Sequence, residues 1–577
     1  MKTTTRWSGA RSGAATASPV NRWLSIAAVG AMASALLLTG CGTGGEPVAP
    51  ASPTDSSAAS TPVEGGELVW GIETKLETVN PHRNGQDKAN PILVNAFPPY
   101  LYRNGEGNFE PWVAAGYETA DGGKTVTLKL RDNVTFSDGA KLDAEAAKLN
   151  IDKVSSPDAG YITSVDGGLR FLKSVEVLDP LTLKFELDQP DIEFLLFLAS
   201  RESSPLSPAT FDLPQTTLEP GGPELAGVGA FTIESFTPGT ELVFKKRAEY
   251  SWVPESIAQG HPGAYLDKVT YRTLAEGSTR SGALQQGQVD VASDIQPLDV
   301  SLFKDDPNFQ YVRNYVGGLP YSYYLNVSKE PFDDIRVREA FILGADYPAI
   351  LQSIYQGAYD RAWAPFSNVP PFVDTALDGW AKVNVDRANQ LLDEAGWTER
   401  NADGIRTKNG KPLLVRDPTG STYIRESRDQ LAVAVAAALK QNVGIEFVFE
   451  PLDSGTEMER ADANDLELFD NSYGGADPVV GVDLLYYSTD PGRGFIARGN
   501  YQDKTLEALI DKARFTDDLE TRIQTYLEFQ QYVTEKFYVL PLYQTQDAFA
   551  AKASVHGFTQ DTGTGQLVGA TTVWVES

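Results

Sequence analysis

YYLNVSKEPFDDIRVREAFILGADYPAILQSIYQG, residues 323–357, opens on a tyrosine-rich strand and ends on a helix with both stop signals written into it. Asp346 is placed to cap PAILQSIYQG, Pro348 sits early where its missing N–H costs nothing, and Gly357 supplies the stop. The Asp333, Asp334, Arg336 and Arg338 cluster stands before another helix. Acids there suit the helix dipole and the arginines can pair with them locally, a scaffold role. Outward toward the C-terminus, Asp386 caps RANQLLDEAG, whose Leu391, Leu392 and Ala395 make one apolar face. Ser427 caps RDQLAVAVAAALKQN, which ends near Gly444 before the strand 445–450. Two amphipathic helices over 503–536 part near Asp517-Asp518. Outward toward the N-terminus, strands dominate. GELVWGI (66–72) and KTVTLKLRDNVTF (124–136) alternate with period two. Ser137-Asp138-Gly139 turns into a helix capped by Asp143. Hairpins are predicted over 174–187 and 229–246, around Asp179-Pro180 and Thr237-Pro238-Gly239. The chain is a mixture of α and β.

The first 66 residues read differently. Residues 1–22 carry Lys2, Arg6, Arg11 and Arg22 and no acid, and WLSIAAVGAMASALLL (23–38) follows. That order is a secretory signal peptide, residues 1–40, whose apolar run is short of the roughly 20 residues that span a bilayer. Leu38-Thr39-Gly40-Cys41 looks like a bacterial lipobox, so Cys41, the only cysteine of 577 residues, is expected to carry lipid. Residues 41–66 then form a lipid-anchored flexible linker, since their Gly, Pro, Ser and Thr cannot bury enough apolar surface to offset chain entropy. The formal charge is −29, and −33 once the four basic residues of the leader are removed. Such a body repels nucleic acid and anionic lipid, leaving lipid at Cys41 as its expected hold on a membrane.

In order, these segments resemble the extracytoplasmic solute-binding proteins of ABC importers, family five, the peptide/nickel type. GGELVWGIETKLETVNPH is similar to the family's opening strand and its Asp-Pro-His turn, with Asn80 in the Asp position. LKLRDNVTFSDGAKLDAEAAKLNID is similar to its strand, Asp-Gly turn and helix, and GVGAFTIESFTPGTELVFKKRAEYSW to its Gly-x-Gly-Pro-Tyr hairpin. YLDKVTYRTLAEGSTRSGALQQGQVDVA, the opening stretch 323–357, ANQLLDEAGW and FYVLPLYQ complete the series over about residues 65–560. The resemblance implies an α/β, bilobal periplasmic-binding-protein-like fold (type II, cluster C-like) with an extra inserted domain and a hinge. Lobe I would comprise 67–97, 227–292 and 541–577, the inserted domain 98–226, and lobe II 293–540. It also implies a monomeric receptor on the outer face of the bacterial cytoplasmic membrane that hands a small ligand to an ABC permease, without catalysis or cofactor.

Site residues follow from the same resemblance. Peptide-binding relatives carry Trp-x-x-Asp-Tyr-x-Asp-Pro at the position of DNSYGGADPVVG (470–481), and the first Asp takes the ligand's α-amino group. Alignment on Asp477-Pro478 puts Gly474 at that Asp and Asn471 at the Trp, so Asp477 or Asp470 would have to substitute. Tyr473, Gly474, Gly475 and Asp477 are therefore candidates, with Gln86 and Asp87 of the loop Asn84–Lys88 and Thr419 and Ser421 of the loop Thr419–Tyr423. Tyr323, with Tyr321, Tyr324 and Tyr473, would suit an uncharged ligand met by hydroxyl and aromatic groups. An oligopeptide or dipeptide is the leading ligand class, with an oligosaccharide or other uncharged solute second. A surface hydrolase with paired carboxylates and a sensor without its own permease are remoter alternatives. His82, His261 and His556 are too far apart in sequence for a metal motif, so no metal site is expected.

Overall fold

The computed structural model describes residues 61–156, 168–421, 424–487, 497–561, 564 and 566–576. All belong to one compact unit, residues 61–577. The leader, Cys41 and most of the linker lie outside the described residues, as does Tyr423. At the described end of the linker, Glu64 accepts from Lys246 Nζ at 2.5 Å and pairs with His261 Nε2 at 2.7 Å.

Lobe I is built on a seven-stranded sheet. Its order is Phe309–Tyr315, Gln546–Lys552, Val291–Ser293, Glu67–Ile72, Lys268–Thr273, Glu241–Lys246 and Phe231–Thr237. Glu67–Ile72 runs parallel to both its neighbours, and the remaining pairs are antiparallel. The strand Phe309–Tyr315, assigned to lobe II in the sequence reading, hydrogen-bonds here, from Phe309 opposite Lys552 to Tyr315 opposite Gln546. Between residues 98 and 226 a four-stranded antiparallel sheet, Ala114–Ala120, Thr125–Leu130, Thr182–Leu187 and Leu172–Asp179, packs with the helices Ala144–Val154 and Ile192–Leu198.

Lobe II contains a three-stranded sheet, Leu468–Gly474, Gly318–Leu325 and Val539–Tyr543, and a parallel pair, Leu414–Gly420 and Glu446–Leu452, joined through the helix Arg428–Val443. Every residue of Gly318–Leu325 is buried. Alternation of strand side chains sends Tyr321, Tyr323 and Leu325 into one apolar core and Tyr324 into the other, which Leu319 joins across the register shift between Leu319 and Ser322. Two chain segments cross between the large sheet and lobe II. Phe309–Tyr315 continues into Gly318–Leu325, Val539–Tyr543 continues into Gln546–Lys552, and Val316 N donates to Thr545 O at 2.9 Å between them. These paired crossings are the hinge of the bilobal fold.

Most element ends follow their signals. Asp143, Asp346 and Asp518 each accept a backbone N–H at the start of their helices. Gln356 and Gly357, both at positive φ, close the helix Tyr347–Tyr355. Asp334 caps Ile335–Leu343 and also pairs with Arg336, while Arg338 turns inward to donate to the Phe332 and Lys536 carbonyls. Two caps differ. Asn384, two residues before Asp386, accepts from Arg387 N at 3.0 Å and leaves Asp386 in the first turn. Ser427 holds its cap position with φ 57° and no side-chain bond, because Glu426 and Ser427 together turn the chain through the left-handed region.

Candidate functional site

Parallel strands place ligand groups at their carboxyl ends, where loops replace the ladder. In lobe I the carboxyl ends of Glu67–Ile72 and Val291–Ser293 carry Glu73 and Asp294. In lobe II the carboxyl end of Leu414–Gly420 leads through Ser421 to Arg425, Glu426 and Arg428 at the next helix start. The two sets meet. Glu426 acts on Glu73 and Tyr359, and Lys88, whose Nζ lies 2.8 Å from Asp294 and 2.9 Å from Asp547, acts on Glu426. Burial works against the charge of Lys88, but the two aspartates hold it well above the ordinary lysine range.

On the lobe II wall, Arg428 is buried with its guanidinium 4.1 Å from the Tyr321 ring centre. It donates to Tyr543 Oη at 3.0 Å, Glu426 Oε2 at 2.9 Å and Ser472 Oγ at 3.0 Å. Burial raises the Glu426 carboxyl, yet Arg428, Arg425 and the Tyr543 hydroxyl together bring it down to about 2. Consecutive left-handed residues at Glu426 and Ser427 fit backbone strain held at a functional position.

The remaining wall comes from the loop Asn84–Lys88 and from Glu202. Asn80, buried in the opening turn, accepts from His82 N at 3.0 Å and donates to Leu218 O at 2.8 Å. His82 meets Ser204 O at 2.9 Å and stacks on Phe211. Arg201 bonds the Asn84 carbonyl and pairs with Glu202 at 2.8 Å, which ties Glu202 to the loop. Burial opposes ionisation of Glu202, but Arg201 holds its carboxyl below the usual range. Asp87 remains open to solvent while the surrounding protein desolvates it and raises its carboxyl, against the pull of Arg425. That combination marks a side chain standing in a cleft. The Tyr473 hydroxyl is pushed up by burial and by the charges of Asp87, Glu193 and Glu202, which places it within their field. Gly474 pairs with Gly318, whose φ of 99° and a clearance of only 2.3 Å from an added Cβ to Tyr473 O leave room for no side chain.

A family model described as bacterial extracellular solute-binding proteins, family 5 middle, matches residues 108–493, about two thirds of the chain. The chain belongs to that family. The glutathione-binding protein of Salmonella paratyphi A is 25% identical over 525 residues, covering 87% of this chain and 94% of that protein. The glutathione-binding protein of Escherichia coli O1:K1 is 28% identical over 344 residues, so the match covers 57% of this chain and 62% of that protein. Among solved structures, NikA from Brucella suis in complex with Fe(III)-EDTA superposes with a TM-score of 0.73 at 22% identity, covering 87% of this chain and 98% of that one. The oligopeptide-binding protein AppA from Bacillus subtilis, in complex with a nonapeptide, gives 0.69 at 21%, covering 90% and 100%. These likenesses establish the bilobal fold.

Within this family 5 protein the expected site residues separate into two groups. Gln86, Asp87 and Ser421 are exposed on the loops flanking the cleft, and Tyr473, Gly474 and Gly475 are half-buried along one strand end. Tyr323 is a correction: at 0% exposure it packs on Phe341 and Phe447 in the lobe II core, because strand alternation turns it inward. Asp477 is a second correction, 3% exposed and already engaged by Tyr526 Oη at 2.8 Å, Val479 N at 3.0 Å, Arg103 and Arg522. Asp470 is likewise held, by Tyr321 Oη at 2.7 Å and by Thr419 Oγ1 at 2.9 Å, which buries Thr419 too. Neither aspartate is available to an incoming amine. Glu73, Glu202, Arg425, Glu426 and Arg428 escaped the sequence reading. The signal that marks the last three is the strand–loop–helix step at 414–443, where charge clusters at the carboxyl end of a parallel strand. Among the described residues, no group of three His, Cys, Asp or Glu side chains stands close enough to hold a metal ion.

Proposed function

We propose that this protein is a lipid-anchored receptor which closes its two lobes on a peptide-like zwitterion and delivers it to an ABC permease. The observation that carries the reading is the mixed charge of the cleft. Asp87 and Glu202 stand on one side and Arg425 on the other, with Tyr473 within reach of the acids' field. Paired opposite charges suit a ligand bearing an ammonium and a carboxylate. Glu202 is paired with Arg201 and Arg425 with Glu426, so Asp87 is the charge that an uncharged sugar would leave without a ligand partner on closure, a cost that an ammonium removes. Of the tyrosines that favoured a sugar, Tyr321, Tyr323 and Tyr324 are core residues and Tyr473 alone is half-buried at the strand end. Relatives named for binding glutathione or oligopeptides support the same class. Closure follows from differential affinity: contacts to both lobes stabilise the closed clamp relative to the open one.

Isothermal titration of the purified protein with glutathione, a di- to pentapeptide series, the same peptides N-acetylated, and malto-oligosaccharides tests the proposal. Saturable binding of free peptides, weakened at least tenfold by acetylation and by Asp87→Asn, is the expected result. Binding confined to the sugars, or turnover of any of these compounds, would overturn it.

A further inference from the structure

The strand end that carries Tyr473, Gly474 and Gly475 is poorly equipped to hold its own shape. Its two glycines carry no side chain to pack, and beyond Gly475 N, which donates to Gly317 O at 3.0 Å, the three-stranded sheet ends. The next residues lead straight into the helix Val479–Tyr486. What holds them comes from elsewhere in the fold. Arg103, at the end of the strand Leu101–Arg103 in the segment 98–226, reaches a residue 373 positions away and bonds the Ala476 carbonyl. Its second Nη lies 3.4 Å from Asp477 Oδ2, and its guanidinium sits 5.2 Å from the Phe372 ring centre.

Neutralising Asp477 does not require Arg103. Arg522 of lobe II already lies 3.5 Å from the same oxygen, and Tyr526 donates to the other. Two buried guanidinia on one carboxylate are more than its neutralisation needs, and Asp561 adds a second negative charge near Arg103. The arrangement brings geometric control instead, a planar fork that fixes a carbonyl and a carboxylate together. An indirect contact with the same segment is made further along the helix, through Arg514. Arg514 binds Asp483 on Val479–Tyr486 and, from the helix Ile192–Leu198 and its cap, Asp191 and Glu193, both at 2.9 Å. The segment leading into the helix after Tyr473–Gly475 is thus held directly by Arg103, and the helix itself is tied at Asp483 through Arg514, which Asp191 and Glu193 of residues 98–226 hold in turn.

We propose that Arg103 is a positioning residue of the ligand site, and that the segment 98–226 completes the lobe II wall of the cleft by fixing Tyr473–Ala476 through it. The proposal rests on the cleft being the ligand site, but its first test needs no ligand. Hydrogen–deuterium exchange of the full mature chain would be compared for the parent and Arg103→Met, which leaves Asp477 paired with Arg522 and Tyr526. Faster exchange by tenfold or more confined to peptides covering 473–487, with 504–535 and the seven-stranded sheet unchanged, is the expected result. Parental exchange there, or a uniform rise across the chain, would overturn it. If Arg103→Met does not fold, Arg103→Lys, which keeps the charge and loses the fork, is judged on the same pattern. A second measurement titrates glutathione: a tenfold weaker affinity in the folded variant, with the thermal midpoint held within a few degrees, supports positioning. Unchanged affinity beside locally faster exchange overturns the link to the site, while a parent that fails to bind glutathione bears on the ligand class and leaves the exchange result to decide.

Discussion

His82 shows what burial does to one side chain and how that becomes measurable. The ring is enclosed by the opening turn, Ser204 and Phe211, and desolvation lowers its pKa to about 4. An unfolded chain protonates the same ring near pH 6.5, so between those values the unfolded state binds the extra proton and folding stability falls as pH falls. The gap corresponds to roughly 3 kcal/mol, fully present above pH 6.5 and lost on acidification toward pH 4. Urea titrations from pH 7.5 to 4 should show that loss, and His82→Gln should flatten it; parallel slopes for parent and variant would refute the assignment. The motif placed His82 in the opening turn, because that position is local information. Asp477 was marked as a ligand group, and the structure shows it buried and engaged within the protein. What occupies it, Arg103, Arg522 and Tyr526, comes from segments up to 374 residues away, and no spacing rule connects them.

At the level of elements, the helices and hairpins were legible because their signals are local: a cap, a stop, an apolar stripe. The helix Val385–Glu394 shows the limit of that reading. Asp386 has the chemistry of a cap, yet Asn384 has the extended backbone position and the bond to Arg387 N. Asn384→Ala should therefore cost about 1 kcal/mol, and Asp386→Ala only the few tenths due to a first-turn acid. Chemical denaturation of the two variants checks this, and equal losses would return the cap to Asp386. The step between Leu414–Gly420 and Arg428–Val443 was read as a loop and a helix, but its meaning depends on Glu446–Leu452 pairing in parallel with the first strand. Pairing direction turns the cluster Arg425, Glu426 and Arg428 from a solvated helix start into the wall of a cleft. Sequence order alone does not carry that direction.

At the scale of the whole molecule, the proposed function sets a hinge beside the expected anchor at Cys41. The paired crossings at Val316 and Thr545 join the two lobes, and the charges that influence one another across the cleft are Lys88, Asp87 and Glu202 on one side and Arg425, Glu426 and Tyr473 on the other. The alternation of strands and helices made the mixed class legible, whereas the merging of apolar cores from the large sheet through the four-stranded sheet to the lobe II helices was not. A receptor that acts only by opening and closing gains from staying near its permease while its lobes remain unconstrained. The proposed tether would serve both ends. It is 25 residues long from Gly42 to Gly66, and its last residues are fixed by Glu64 on Lys246 and His261, on the lobe I hairpin side. On this reading Cys41 contributes location and nothing to affinity. Cys41→Ser should move the protein from the membrane fraction to the medium or the periplasm, while the purified variant binds the same peptides with the same affinity and uptake by whole cells falls. Membrane retention of the variant would remove the lipid from the account, and a weakened affinity would show that the anchor reaches the cleft.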